Sequence, residues 1–263
     1  MPVEWMDVRG LSFNSLLLLE QAELSWMPRY MHVPEKELAI ALQANPWVEW
    51  YLRHKCLELK PWLDEILASH GPCQDPAEIR KAEVTVMQAL NDWLVYALDP
   101  SIYDAQPFLG WDSRELTGLA DFTGKIVADI GAGTGRLALT VAPLARTVFA
   151  LEPVGNLRAY LRAKARTQGM TNIFPVDGLI TGIPFSDGFF DITMGGHVFG
   201  DETGAEWRQL ERVTRPGGWI ILCPGNNDVV NDIHKFLVSQ GCQWGRFEEP
   251  LDGMKRKYWK RLY

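Results

Sequence analysis

The chain has 263 residues, 47% hydrophobic and 22% charged, with a formal net charge of −7. That length holds one sizeable α/β domain plus a smaller one, and that apolar share excludes a disordered chain. Positions 1–110 carry 8 Lys and Arg against 16 Asp and Glu, whereas positions 111–263 carry 18 against 17, so the front half is a poor surface for a phosphate backbone.

At the start, Glu4 and Asp7 precede any base, unlike a signal peptide. Purely aliphatic runs such as 16–19 are far too short to cross a bilayer. A cytoplasmic location follows, with neither membrane nor nucleic acid as partner. A short helix is expected over 16–24, capped by Asn14 or Ser15. Positions 26–34 hold Pro28 and Pro34 and read as loop. Helices are expected over 34–42, with proline in the first turn, and over 46–59. On the latter, Trp47, Trp50, Tyr51 and His54 fall on one face. They, or Tyr30 and His32, either form ordinary core or line an apolar substrate pocket. A short helix over 61–69, a break at 70–76 and one long helix over 77–98 complete an all-helical cap at 1–100. Positions 101–123 form a connector bearing Tyr103, Phe108, Trp111 and Arg114.

From position 124 the pattern alternates between strand and helix, which predicts a doubly wound, mostly parallel sheet over 124–263. Strands fit at 125–130, 147–152, 172–177, 190–195 and 218–224, and helices at 134–145, 156–168, 203–213 and 229–240. Two further strand-like runs, 243–249 and 255–263, flank Pro250-Leu-Asp-Gly253, an antiparallel hairpin signal. The basic cluster at 255–261 reads as a solvated strand face. Cys56, Cys73, Cys223 and Cys242 lack C-x-x-C spacing; buried free thiols are expected, not a metal site or disulfide framework.

The centre of the pattern is Asp129-Ile-Gly-Ala-Gly-Thr-Gly135, between the first strand and its helix. Glycines there allow positive φ and let a ligand approach the backbone, beside the free N–H groups of a helix start. A dinucleotide fingerprint needs G-x-G-x-x-G, but position 136 is Arg, which disfavours an NAD-dependent oxidoreductase.

This stretch resembles the first motif of the class I S-adenosylmethionine (SAM) methyltransferases. Five parallel strands followed by a terminal hairpin match the order of that family's seven-stranded, Rossmann-like sheet. The resemblance covers about 101–263 and leaves the helical cap unassigned. It implies a loop of Gly131, Ala132, Gly133, Thr134 and Gly135 around the cofactor, and S-adenosylhomocysteine as product. Asp129 either faces the methionine end of SAM or braces the turn. Glu152, ending the second strand beside Pro153, lies 21 residues after Gly131, close to the about 20 expected of a ribose-binding acid. A carboxylate accepts from both ribose hydroxyls. At the end of the third strand, the resemblance gives Asp177 the adenine amino group and Gly178 a backbone contact to the ring, with Leu179 and Ile180 on its face.

Asp191 fits the acidic start of the family's fourth strand. Gly195 and Gly196 leave room beside the transferred methyl. His197 stands where an acceptor would approach, either as a general base or as a wall residue. Tyr103, Trp111 and Arg114 would close over the cofactor. The expected activity is transfer of the sulfonium methyl by in-line displacement to a small-molecule acceptor. A catalytically silent SAM-binding module serving a partner is the competing class.

Overall fold

The computed structural model describes residues 5–30 and 32–263; Glu4 and Met31 lie outside them, and the Tyr30 side chain is not described. Five apolar runs become parallel strands: β1 (Ile126–Ile130), β2 (Thr147–Leu151), β3 (Ile173–Val176), β4 (Phe190–Gly195) and β5 (Thr214–Asn227). The last two, β6 (Gln243–Glu249) and β7 (Gly253–Arg261), form the hairpin. The sheet order is β3-β2-β1-β4-β5-β7-β6, with β7 antiparallel to both neighbours. The fold class read from the sequence is the one observed.

Burial on both faces explains the unbroken apolar runs. Val127, Ala138, Val141, Val148, Leu161 and Ile221 pack on one face, and Ala128, Ile130, Leu151, Phe190, Leu210 and Ile220 on the other. Asp191 pins the start of β4: its Oδ2 accepts from the Ile126 amide (2.6 Å) and its Oδ1 pairs with Arg215 (2.7 Å). β5 outruns the expected 218–224, because beyond a register shift Asn226 and Asn227 pair with Arg256 and Lys255 of β7. The hairpin tip therefore returns to the carboxyl end of β5.

The chain divides into two compact units, Met1–Tyr103 and Asp104–Tyr263. In the first, the helices are α1 (Gln21–Tyr30), α2 (Glu35–Ala44), α3 (Pro46–Lys55), α4 (Lys60–Ser69), α5 (Pro76–Ala89) and α6 (Asn91–Leu98), with α7 (Pro100–Asp104) crossing the boundary. Leu24, Met27, Leu38, Leu42, Leu52, Leu63 and Val86 make its core, each contributing about 1.5–3 kcal/mol by leaving water.

Three expectations need correction here. The helix expected over 16–24 is a 3₁₀ turn over Phe13–Leu18, capped by Ser12, followed by α1, which continues into the stretch read as loop as far as Tyr30 and contains Pro28. Full burial of Leu24 and Met27 offsets the missing proline donor. The long helix over 77–98 is two, α5 and α6, joined at Leu90 (φ −96°, ψ 11°). Trp47 and Trp50 are not core: they are 56% and 60% exposed, and α3 buries Val48 and Leu52 instead. Only Tyr51 of that aromatic set turns inward, its hydroxyl donating to the Leu19 carbonyl (2.9 Å).

In the second unit α8 (Arg114–Thr117) belongs to the connector, and α9 (Arg136–Val141), α10 (Gly155–Thr167), α11 (Thr203–Val213) and α12 (Asp232–Ser239) flank the sheet. No helix among the described residues is long and apolar enough to cross a membrane.

Candidate functional site

The site is built at the carboxyl ends of β1 to β4, where open α/β sheets receive ligands. β1 ends at Ile130, and the next residues turn through Gly131, Gly133 and Gly135 at φ 65°, 53° and 89°. The Ala132 amide donates to the Leu151 carbonyl (2.9 Å) and the Gly135 amide to the Ala132 carbonyl (2.8 Å), so the loop is tied to the end of β2. Ala132 and Thr134 are buried. A Cβ built on Gly135 would meet Leu161 Cδ1 at 2.1 Å, whereas one on Gly133 would meet nothing within 4 Å. The turn is thus packed from beneath at Gly135 and open at Gly133.

Glu152 is the residue after β2 and is 5% exposed. Its Oε2 accepts from the Gly133 amide and its Oε1 from the Val154 amide, both at 2.9 Å. Pro153 beside it is half-buried. Asp177, just past β3, is open to solvent, with a 75% exposed side chain, and its Oδ1 accepts from Arg158 Nη1 (3.1 Å). The same Arg158 nitrogen donates to the Glu152 carbonyl (2.6 Å), joining the two strand ends. Gly178 lies close under Pro184 and Leu151, and Leu179 is 41% exposed.

Asp129 takes the bracing alternative. It is 1% exposed, and its Oδ2 accepts from the Ala138 amide in α9 (2.8 Å). Burial pushes its carboxyl up to about 8, opposed by the Ala138 hydrogen bond and reinforced by nearby Glu152. Trp111 is likewise corrected. It is 3% exposed, its ring 5.4 Å from Phe247 and under the Arg136 guanidinium at 4.7 Å. That is core packing, which leaves no ring free to close on a ligand. Tyr103 stands edge-on to Trp5 and Tyr96 within the first unit. Arg114 pairs with Asp112 in solvent (2.6 Å).

Gly195 ends β4; a Cβ there would meet Val198 Cγ1 at 2.6 Å and the Ile130 carbonyl at 2.9 Å. His197 follows at φ 54°, and its amide donates to the Pro224 carbonyl (2.9 Å). Its Nε2 lies 3.0 Å from Glu249 Oε1 in β6. Glu249 is 1% exposed, and its Oε2 is 3.7 Å from Lys255 Nζ. Both residues escaped sequence reasoning. The basic cluster is not a uniformly solvated strand face, because Lys255 and Arg256 are 4% and 3% exposed. The signal was a hairpin placing acid and base on one face, but only its pairing with β5 directs them here.

Cys223 is buried, and burial pushes its thiol up to about 12, so it stays protonated and is no nucleophile. Cys56 and Cys242 are also buried free thiols; Cys73 is half-buried. Among the described residues no group of three His, Cys, Asp or Glu is placed to hold a metal.

Residues 128–222 match the family model of a methyltransferase domain. Uncharacterised proteins of Mycobacterium bovis and Mycobacterium tuberculosis are 32% identical over 99 residues, 37% of this chain and 36% of each relative. The match thus spans about a third of the length of these curated relatives. Among solved structures, a SAM-dependent methyltransferase from Aquifex aeolicus shares the fold with a TM-score of 0.50 at 17% identity, over 63% of this chain and all of that one.

Proposed function

We propose that the chain, whose residues 128–222 match the model of a methyltransferase domain, is a SAM-dependent methyltransferase acting on a small organic acceptor. The observation that carries this reading is the Glu152–Gly133 junction. A buried carboxylate at the end of β2 holds the open glycine of the β1 turn (2.9 Å), where an added Cβ meets nothing. That is a cradle with room for a ligand against backbone, beside a buried carboxylate. The residues present fit SAM.

When bound, SAM supplies a methyl group activated on a sulfonium. Glu152 would accept from the ribose hydroxyls. Asp177 would accept from the adenine amino group, with the half-buried Gly178 amide and exposed Leu179 against the ring. The loop from Gly131 to Gly135 would line the middle of the ligand, while Asp129 holds α9 in place behind it. Gly195 and Gly196 keep the tip of β4 free of side chains. The protein's contribution is then alignment and exclusion of water; alignment can supply ~7–11 kcal/mol of a barrier. The acidic first hundred residues favour a small acceptor over a nucleic acid. Free thiols throughout support a location in the cytoplasm.

Calorimetry with SAM, S-adenosylhomocysteine and NADH tests the cofactor. SAM and its product should bind, and tight NADH binding without SAM binding would refute the reading. Turnover of SAM with a panel of small acceptors tests the enzyme, and SAM binding with no turnover on any of them would favour a silent module.

A further inference from the structure

The carboxyl ends of β4 and β6 and the start of β7 bring together three polar groups that cofactor binding does not use. Glu249 is an acid on a sheet-edge strand with 1% exposure, and its Oε2 has no hydrogen-bond partner. A buried carboxylate is expensive in desolvation, and an apolar side chain of that size would pack there more easily. Two groups offset the charge: the His197 ring at Oε1 (3.0 Å) and Lys255 Nζ facing Oε2 (3.7 Å). Lys255 is itself fixed, 2.6 Å from both Asn227 Oδ1 and Asp252 Oδ2.

His197 is held at φ 54°, a conformation that L side chains adopt at about 1–3 kcal/mol. Its place is set by the hydrogen bond from its amide to the Pro224 carbonyl and by Val198, which lies against Gly131 of the β1 turn and Gly195 at the end of β4. A carboxylate only accepts hydrogen bonds, so Nε2 carries the proton toward Glu249. Nδ1 has no partner among the described residues, and the side chain is 39% exposed. The basic nitrogen therefore faces outward, two residues past the end of β4.

We propose that Glu249, anchored by Lys255, is the positioning residue that presents His197 Nδ1 as proton acceptor for a neutral hydroxyl acceptor of the phenol or enol class. The inference rests on the methyltransferase reading above. As the acceptor O–CH₃ bond forms, the S–CH₃ bond breaks and its electron pair remains on sulfur, leaving a neutral thioether. The hydroxyl proton passes to Nδ1, and the imidazolium so formed is stabilised by the Glu249 carboxylate. A carboxylic acid acceptor, already ionised at neutral pH, needs no such base; the built dyad points to an acceptor that still carries its proton.

The test uses the full chain, SAM, and three probe sets: phenols un-ionised at the assay pH, nitrophenols already ionised there, and aromatic carboxylic acids. Un-ionised phenols should be methylated, with kcat falling on the order of 10²-fold in His197→Gln and Glu249→Met. The loss should shrink toward none with nitrophenols, and SAM affinity should stay within about twofold. In the ¹⁵N-labelled protein the His197 ring should show a slowly exchanging Nε2–H that disappears in Glu249→Met. If that variant fails to fold, Glu249→Gln, which keeps the side-chain shape, replaces it in the kinetic comparison. Equal loss on ionised and un-ionised phenols, methylation confined to carboxylic acids, SAM binding with no phenol methylated, or no protected Nε2–H overturns the inference and leaves the cofactor reading standing. Absence of SAM binding overturns both.

Discussion

The Glu152 carboxylate reaches the Gly133 amide at 2.9 Å, so the end of β2 holds the open position of the turn that follows β1. One group thereby serves the fold and, in the proposed reading, the ligand. Glu152→Ala leaves the Gly133 and Val154 amides without their acceptor, at about 1–3 kcal/mol per buried orphan. Urea unfolding should register that loss. Calorimetry should show SAM affinity lowered at least tenfold in the variant, under conditions where it remains folded. Retained affinity would mean that the ribose is held elsewhere.

Asp129 gives a pH signature. Burial raises its folded carboxyl to about 8, whereas an unfolded Asp ionises near ~3.9. Between these values the folded chain keeps a proton that the unfolded chain has released. The group's contribution is therefore fully present below about pH 4 and is lost as pH rises toward about 8. Asp129→Asn retains an oxygen for the Ala138 amide and has no charge to bury. Its stability relative to the native chain should increase steadily across that window in urea titrations at stepped pH. SAM affinity in this variant should be nearly unchanged, because Asp129 braces α9 and does not face the ligand.

Strand positions were legible because burial on both faces demands continuous β-branched and aliphatic runs, as in Ile126–Ile130 and Phe190–Gly195. The placement of the acids at 152 and 177 just past β2 and β3 was legible because each closes such a run. Features set by distant partners were not legible. α1 passes through Pro28 because Leu24 and Met27 are needed in the helical core. The break after α5 places Asn91, whose side chain donates to the Met6 carbonyl (2.8 Å) and accepts from the Met6 amide (3.3 Å), 85 positions away in sequence. Glu249 and Lys255 reach His197 only through the pairing of β7 with β5, which no local pattern encodes.

Two glycines of the turn should respond differently to alanine. At Gly135 the new Cβ would fall 2.1 Å from Leu161 Cδ1, at φ 89°. Overpacking of about 1–3 kcal/mol adds to left-handed strain, and the melting temperature should drop markedly. At Gly133 nothing lies within 4 Å, so Gly133→Ala carries only the left-handed strain, about 1–2 kcal/mol. That variant should fold yet bind SAM poorly, because its methyl enters the ligand side of the loop. Native-like SAM affinity in Gly133→Ala would place the cofactor away from this turn.

Trp111 separates packing from closure. With its ring against Phe247 and under Arg136, Trp111→Ala removes a core aromatic and should destabilise by about 3–5 kcal/mol. If the residue only packs, SAM affinity at a temperature where both proteins are folded should be unaltered, and limited proteolysis of 104–123 should not change on adding SAM. A selective loss of affinity with little loss of stability would restore the closing role expected from the sequence.

Asp177 offers the complementary case to Glu152, because its side chain is 75% exposed and, among the described residues, its ion-pair partner is Arg158. Asp177→Ala should alter stability by no more than about 0.5 kcal/mol, since no buried group is orphaned and Arg158 keeps the Glu152 carbonyl. An exposed hydrogen bond to a carboxylate is worth about 1–1.5 kcal/mol, so SAM affinity should fall roughly five- to tenfold. The adenine contact itself is isolated by a cycle with S-adenosylhomocysteine and its inosine counterpart, which lacks the amino group. The native chain should prefer the adenosine compound, and Asp177→Ala should lose most of that preference. An undiminished preference in the variant would move adenine recognition to another residue and leave Asp177 as a surface partner of Arg158.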